Sequence, residues 1–182
     1  MLGVSTLRVR HTAQLTASEL ADIRGLLDRA FAGRFDDTDW QHALGGLHIT
    51  VVEDERVIAH AAVVQRQLVL DDRPTRTGYV EAVAVDPDRR GRGHAAAVMG
   101  EAERIIRDAY DLGALSASGG VEGFYLSRGW LAWQGPTYVL IAGGMTRTPD
   151  DDDSTFVLPV PGRPPVQVTG RLAADWRDGD VW

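Results

Sequence analysis

Val83-Ala-Val-Asp-Pro-Asp-Arg-Arg-Gly-Arg-Gly-His-Ala95 decides how the rest of the chain is read. The stretch leaves a strand at Arg76 to Val85, breaks at Asp86-Pro87, and passes through an Arg/Gly loop, Arg89 to Gly93, into a helix. In that helix, Ala95 to Ala109, the residues Val98, Ala102, Ile105 and Ala109 recur on one face. Glycines at 91 and 93 let main-chain amides approach an anion without a Cβ in the way, and the helix start adds the positive end of its dipole. A pyrophosphate suits such a bend, although a plain surface turn between strand and helix has the same composition. Two phosphate-binding designs are excluded. All 19 basic residues are arginine, so there is no Walker-type lysine, and no Gly-x-Gly-x-x-Gly follows the first strand of a βαβ unit.

Upstream, Thr6 to Arg10 reads as a short strand. Thr16 and Glu19 have the spacing of a capping box, and Leu20, Ile23, Leu27 and Phe31 follow at helical intervals, which predicts a helix to Ala30 stopped by Gly33. Asp36 to Trp40 opens a second short helix. His48 to Glu53, Val57 to Leu70 and Arg76 to Val85, separated by turns at Glu53 to Arg56 and Asp71 to Pro74, form an antiparallel meander. Downstream come a strand at Leu112 to Ser116, a helix from Gly119 to Arg128 stopped by Gly129, and strands at Trp130 to Trp133, Tyr138 to Ile141 and Thr155 to Val160.

A chain of 182 residues with 44% hydrophobic and 25% charged side chains is predicted to fold as one domain, not to remain disordered. No apolar run approaches the roughly 18 residues of a membrane span, and no secretory signal opens the chain, so the expected location is cytoplasmic. The absence of cysteine excludes disulfide scaffolds, thiolate zinc sites and cysteine nucleophiles, and the absence of lysine excludes Schiff-base chemistry. His11, His42, His48, His60 and His94 include no pair at helical metal-site spacing, and no metal is expected. His60, in an apolar strand, reads as a satisfied core residue. Neither Ser116 nor Ser118 stands in a nucleophile elbow. A net charge of −7 argues against a nucleic-acid partner and favours a cationic small molecule.

Arg90-x-x-Gly93-x-Ala95, after the strand residues Val83-x-Val85, resembles the acyl-coenzyme A signature of the GNAT (GCN5-related) N-acetyltransferases. Tyr125-x-x-x-Gly129-Trp130 is similar to that family's Tyr-x-x-x-Gly-Phe, and the order of elements from Leu7 to Val160 also resembles it. Further segments resemble the mycobacterial aminoglycoside 2'-N-acetyltransferases within that family. They are Ala32-Gly33, Thr38-Asp39-Trp40, Leu44-Gly45-Gly46, Ala59-His60-Ala61-Ala62-Val63, Gly78-Tyr79-Val80-Glu81, Gly113-Ala114-Leu115-Ser116, Thr146 to Asp152 and Asp175-Trp176-Arg177. The resemblance implies an α/β GNAT fold: a mixed central sheet with splayed strands, flanked by helices. It also implies acetyl-CoA as co-substrate, a homodimer, and a C-terminal extension from about residue 146 that contributes to the acceptor pocket.

Amine acetylation from a thioester needs a neutral amine, a polarised carbonyl and a proton for the departing thiolate. If no bulge intervenes, period two places Glu81, Val83 and Val85 on one face, and the resemblance implies a bulge near here. Glu81 is the candidate base and cation anchor; read alone, it is equally a solvent-facing strand carboxylate. By resemblance, the Val83 amide holds the thioester carbonyl, Val85 pairs with the pantetheine arm, and Arg90, Gly91, Arg92, Gly93, His94 and Ala95 clasp the pyrophosphate. Arg89 is equally a surface charge. Tyr125 matches the family's proton donor, with helix packing as its other reading. Candidates for holding a polyamine are Asp39, Glu81, Ser116, Asp151, Asp180 and Trp182, the last by resemblance through its terminal carboxylate. The four aspartates from Asp150 to Asp153 otherwise read as a solvated loop, and Trp182 as an aromatic anchor. The implied acceptors are gentamicin, tobramycin and kanamycin B. Alternatives are an endogenous cell-wall or metabolite amine, or a noncatalytic acyl-CoA sensor.

Overall fold

The computed structural model describes residues 5–117 and 119–182; residues 1–4 and Ser118, named above, lie outside the described set. The chain divides into two compact units, residues up to 64 with 80–104, and 65–79 with 105–182.

In the first unit, strand β1 (Thr6–His11) is followed by helix α1 (Ala17–Ala30) and helix α2 (Asp37–Ala43). The Thr16 side chain accepts from the Glu19 amide while Glu19 reaches back to the Thr16 amide, the reciprocal cap that the spacing predicts. Asp36 and Asp39 cap α2 in the same manner. Next come β2 (Leu47–Glu53), the first part of β3 (Arg56–Leu70), the last part of β4 (Arg73–Val85), and most of α3 (His94–Ala109). Here the strand order is β1-β2-β3-β4. β1 is antiparallel to β2, with Thr6 opposite Val52, and β2 is antiparallel to β3, with a register shift between Val51 and Val52. Ile23 and Leu27 of α1 pack with Phe35 and with Ala84 of β4, and Leu15, Phe31, Trp40 and Val57 close over this cluster.

The second unit holds the other parts of β3, β4 and α3, then β5 (Leu112–Ser116), α4 (Glu122–Leu126), β6 (Leu131–Ala132), β7 (Thr137–Ile141), β8 (Gly144–Arg147), β9 (Thr155–Pro159) and β10 (Leu172–Asp175). Its strand order is β6-β9-β5-β4-β3-β10-β7-β8. β4 is parallel to β5 and β10 is parallel to β7, while the β5–β9, β6–β9, β7–β8 and β3–β10 pairs are antiparallel. The sheet is therefore mixed and the class α/β, as expected. Among the described residues no helix is long and apolar enough to cross a membrane.

Two expectations need correction. The helix predicted from Gly119 to Arg128 is only Glu122–Leu126, because Gly119 and Gly120 adopt φ of +86° and +82°, outside the right-handed helical region. β8 and β10 were not anticipated. β8 is exposed at every position and shows no alternation, and β10 reads Leu-Ala-Ala-Asp, poor in strand-forming residues; it exists because it has hydrogen-bonded neighbours on both sides.

The C-terminal turn of α3 lies close over the β4–β5 pair. A Cβ on Gly78 would stand 2.7 Å from Tyr110 and 2.8 Å from Ile106, and one on Gly113 would stand 2.9 Å from Leu158. Gly78→Ala is expected to destabilise the protein by about 1–3 kcal/mol through overpacking. Thermal denaturation reads this, and an unchanged midpoint would show that the helix can back away.

Candidate active site

The phosphate-binding candidates start at a knot on Asp86. Its carboxylate is buried, accepts from the Asp88 amide at 3.1 Å and from Arg29 at 3.3 Å, and its own amide donates to Ile58 at 2.8 Å. The chain thus leaves β4 in a fixed direction. Gly91 and Gly93 have φ of +73° and +83°, and the space where their Cβ atoms would lie is open. They are needed for backbone conformation, and they leave a cradle with its amides accessible. The Gly93 carbonyl accepts from the Ala97 amide at 3.0 Å, so the amides of His94, Ala95 and Ala96 belong to the first turn of α3, where no intrahelical acceptor exists. That turn carries no acidic residue. A pyrophosphate fits these donors. Of the nearby arginines, Arg89 is ion-paired to Glu53 at 2.7 Å, Arg90 donates to the Ala30 carbonyl at 3.1 Å, and Arg92 is exposed. Val83 and Val85 are half-buried at the end of β4.

Regular alternation does not reach Glu81. Ala82 has φ of +51°, in the left-handed region, so Glu81, Ala82 and Val83 are half-buried in succession instead of alternating. The Ala82 carbonyl accepts from Nδ1 of His60 at 2.8 Å, and His60 is wholly buried, a satisfied core residue as its sequence context predicts. Burial holds His60 neutral, its pKa lowered to about 3, and His48, beside it, is lowered to about 4.

In the second unit, the Tyr125-x-x-x-Gly129-Trp130 spacing is a helix-terminating turn. The Trp130 amide donates to the Tyr125 carbonyl at 3.2 Å and the Gly129 amide to Leu126 at 3.1 Å, with Gly129 at φ of +89°. This is the Schellman arrangement, and its expected apolar contact is present: the Tyr125 and Trp130 rings meet edge-on at 6.2 Å. Phe156 and Phe124 complete the surroundings. Burial pushes the Tyr125 phenol up to about 12. It is both a packed side chain and a group that keeps its proton at neutral pH.

The same unit holds the acidic candidates. Asp152 is clamped by both Arg147 nitrogens at 2.8 and 2.7 Å and accepts from the Thr137 amide at 2.9 Å, which holds it well below the usual carboxylate range. It is a structural anchor and not a solvated loop residue. Asp151 is shifted the other way, raised first by burial and then by the charge of Asp180. The Asp180 carboxylate itself accepts from the Trp182 amide at 3.2 Å. Ser116 is linked to the Asp151 segment through Ser154, at 3.0 Å. Trp182 is buried, its indole donates to Thr148 at 3.0 Å, and its carbonyl oxygen accepts from Arg177 at 3.2 Å, so anchoring is one of its roles. Asp39 spends one oxygen on the Asp36 amide.

Three groups escaped sequence reasoning: the His48–His60 pair, the Arg147–Asp152 clamp, and Arg66, buried beneath the C-terminal tail. Pairs 12 and 109 residues apart leave no periodic trace, though an arginine inside an apolar strand was a usable signal for Arg66. Among the described residues no cluster of three or more metal-ligating side chains is found.

A family profile for the acetyltransferase (GNAT) domain matches residues 11–132. An aminoglycoside 2'-N-acetyltransferase of Mycolicibacterium fortuitum is 53% identical over 179 residues, 97% of this chain and 92% of that protein. A GNAT N-acetyltransferase of Escherichia coli, solved with CoA, shares the fold at a TM-score of 0.63 and 18% identity, covering 96% of this chain and 91% of its own. A GNAT acetyltransferase of Brucella melitensis, solved with acetyl-CoA, does so at 0.60 and 17%, covering 92% and 95%. Two longer structures are matched over only 33% and 34% of their own length.

The neutral imidazoles carry a pH signature. Unfolded histidines take up protons near pH 6.5, whereas these do so only at about 3 and about 4. Their contribution is complete above pH 6.5 and is lost as pH falls toward 4, by up to ~1.4 kcal/mol per pH unit for fully buried His60. Urea denaturation at pH 7.5 and 5.0 is expected to show the lower midpoint at pH 5.0, and equal midpoints would mean that the pair is not buried neutral.

Proposed function

The chain belongs to the GNAT family of acetyl-CoA-dependent N-acetyltransferases, and from that premise we propose that its acceptor is the 2'-amine of an aminoglycoside antibiotic, so that transfer confers resistance. The observation that carries the acceptor class is the setting of Asp151. Asp151, partly buried and with its proton affinity raised by burial and then by the Asp180 charge, is a carboxylate that a polycation relieves. The named substrate of the 53% identical relative supports the same acceptor. Asp39, Glu81, Ser116 and Trp182 complete the proposed contacts, within a C-terminal extension from about residue 146 for the last of them.

Each chemical requirement has a residue. Glu81 takes the proton of the substrate ammonium, directly or through water, and leaves a neutral nitrogen. That nitrogen adds to the thioester carbonyl, whose oxygen the Val83 amide holds. The C–S bond breaks, the Tyr125 phenol protonates the departing thiolate, and the second proton that the nitrogen sheds on becoming an amide returns to restore the phenol. With its pKa pushed up to about 12, that phenol is fully protonated at working pH, as a donor must be. Val85 and the Arg90 to Ala95 segment, chiefly Gly91, Arg92, Gly93 and His94 through their amides, hold the coenzyme. Without cysteine or an activated serine, transfer is direct, with no acyl-enzyme. We read the protein as a cytoplasmic homodimer, supported by exposed edge strands such as β8.

The test is thiol release with gentamicin, tobramycin, kanamycin B and kanamycin A, followed by location of the acetylated nitrogen by NMR. The first three are expected to be acetylated at the 2' position, and kanamycin A, which has a hydroxyl there, is not. Acetyl on another nitrogen would overturn the regiochemistry. A higher kcat/KM on a cell-wall amine would make drug modification incidental, and release with no amine tested would leave the acyl-CoA sensor.

Tyr125→Phe is expected to lower kcat by about 10²–10⁴-fold while coenzyme A affinity, measured by calorimetry, stays within a factor of two or so. An unchanged kcat would remove Tyr125 from the chemistry.

A further inference from the structure

Ala82 is the one residue of β4 with a positive φ, at +51°, and it stands between the two groups to which acyl transfer assigns the base and the carbonyl donor. A left-handed conformation costs an ordinary L-residue roughly 1–2 kcal/mol, so it persists only where its surroundings insist on it. Neither glycine nor asparagine stands here to ease it. The insistence comes from beneath the strand.

The Ala82 carbonyl lies 2.8 Å from Nδ1 of His60. A carbonyl only accepts, so Nδ1 carries the proton, and Nε2 of His60 presents a lone pair. Facing that lone pair at 2.9 Å is Nδ1 of His48, which must donate. Nε2 of His48 is then also an acceptor, and the Thr12 hydroxyl lies 2.9 Å from it. Thr12 Oγ1 in turn accepts from the Gly45 amide at 2.9 Å, leaving its proton for His48 or for the Gly46 carbonyl at 3.2 Å. One forced assignment at the carbonyl therefore propagates through both rings. Both imidazoles are inaccessible, His60 at 0% and His48 at 1% exposure, so water does not compete for these bonds. Because the chain ends on a carbonyl, which takes up no proton, it is not a conduit for protons. It is a strut.

We propose that His60, its ring held from behind by His48, is a positioning residue that holds the Ala82 kink and thereby the direction of the Glu81 carboxylate and the Val83 amide. The proposal rests on the acyl-transfer reading for what those two groups do; the strut itself is independent of it.

Isosteric substitution separates holding from filling. Asparagine places an amide N–H where Nδ1 of histidine lies, glutamine places it where Nε2 lies, and leucine fills space with no donor. His60→Asn is expected to retain kcat within about tenfold. His60→Gln and His60→Leu are expected to lose about 10²-fold or more in kcat, the effect of misplacing reacting groups by about 1 Å, with a raised KM for acetyl-CoA. Coenzyme A affinity by calorimetry should follow the same order, and it remains readable if no amine is acetylated. That outcome would sink the acyl-transfer reading and leave the strut standing. Should the variants not fold, ¹⁵N NMR of the wild-type imidazoles decides: both are expected as neutral Nδ1–H tautomers, the minor form of free histidine. Equal kinetics and equal coenzyme affinity for the asparagine and glutamine variants, or an Nε2–H proton on His60, overturns the proposal.

Discussion

A backbone that is to hold a diphosphate must bring its amide groups to the ligand unspent, and residues 81 to 97, the proposed coenzyme site, meet this constraint. Regular strand and helix both consume amides, so the donors have to come from where β4 has ended and α3 has not yet closed its first hydrogen bond. Pro87 cannot extend the strand, Gly91 and Gly93 turn the chain through left-handed conformations, and the carbonyl of Gly93 is the first to be taken up by the helix, through Ala97. Such a loop has little intrinsic reason to keep its shape. Asp86 supplies one, buried at the loop entrance and tied to the Asp88 amide, to Arg29 and to the β3 backbone at Ile58. One side of the loop is open while the other is knotted.

The buried polar groups follow the same division of labour. A histidine with no exposed surface is costly unless both nitrogens are satisfied. His60 meets that condition with one neighbour across the sheet and one backbone carbonyl displaced from its regular position. Arg66, 5% exposed, likewise has a partner for each nitrogen: Nε and Nη2 reach Asp175, Nη1 reaches the Val181 carbonyl at 2.8 Å, and the guanidinium lies 4.7 Å from the Tyr79 ring. The guanidinium of Arg177 lies over the same ring at 5.4 Å. These contacts order a tail whose one large buried apolar side chain is Trp182. They place the backbone of Asp180 and Trp182 by charge and π-stacking where a core would normally do so.

Legibility in the sequence followed the range of the interactions. The capping box at Thr16 and Glu19, the meander, the Gly91-Gly93 loop and the Tyr125 to Trp130 turn are all written within six or so residues, and each is found where the local chemistry puts it. The resemblance to acetyltransferases was carried by the same short segments, since those are where backbone geometry restricts residue choice. The residues alone do not mark the kink at Ala82, because an alanine in a Val-rich strand advertises alternation and its hydrogen-bond partner His60 lies 22 residues away; only the family resemblance implied a bulge there. β10 failed for a similar reason: four weak strand formers are recruited by two neighbours, not by their own pattern. The helix predicted from Gly119 is shortened because its paired glycines at 119 and 120 adopt left-handed conformations that no right-handed helix continues.

The charge of −7 is most informative in how it is distributed. Asp152 and Asp175 are ion-paired to Arg147 and Arg66, and Asp86 is held by Arg29, so these carboxylates contribute structure and little external field. Asp151 differs: burial, and then the charge of Asp180, raise its proton affinity. In the proposed acceptor site a bound polyamine relieves that strain as it forms its own ion pairs. The preference for a cation then rests on where one carboxylate sits rather than on the number of acidic residues.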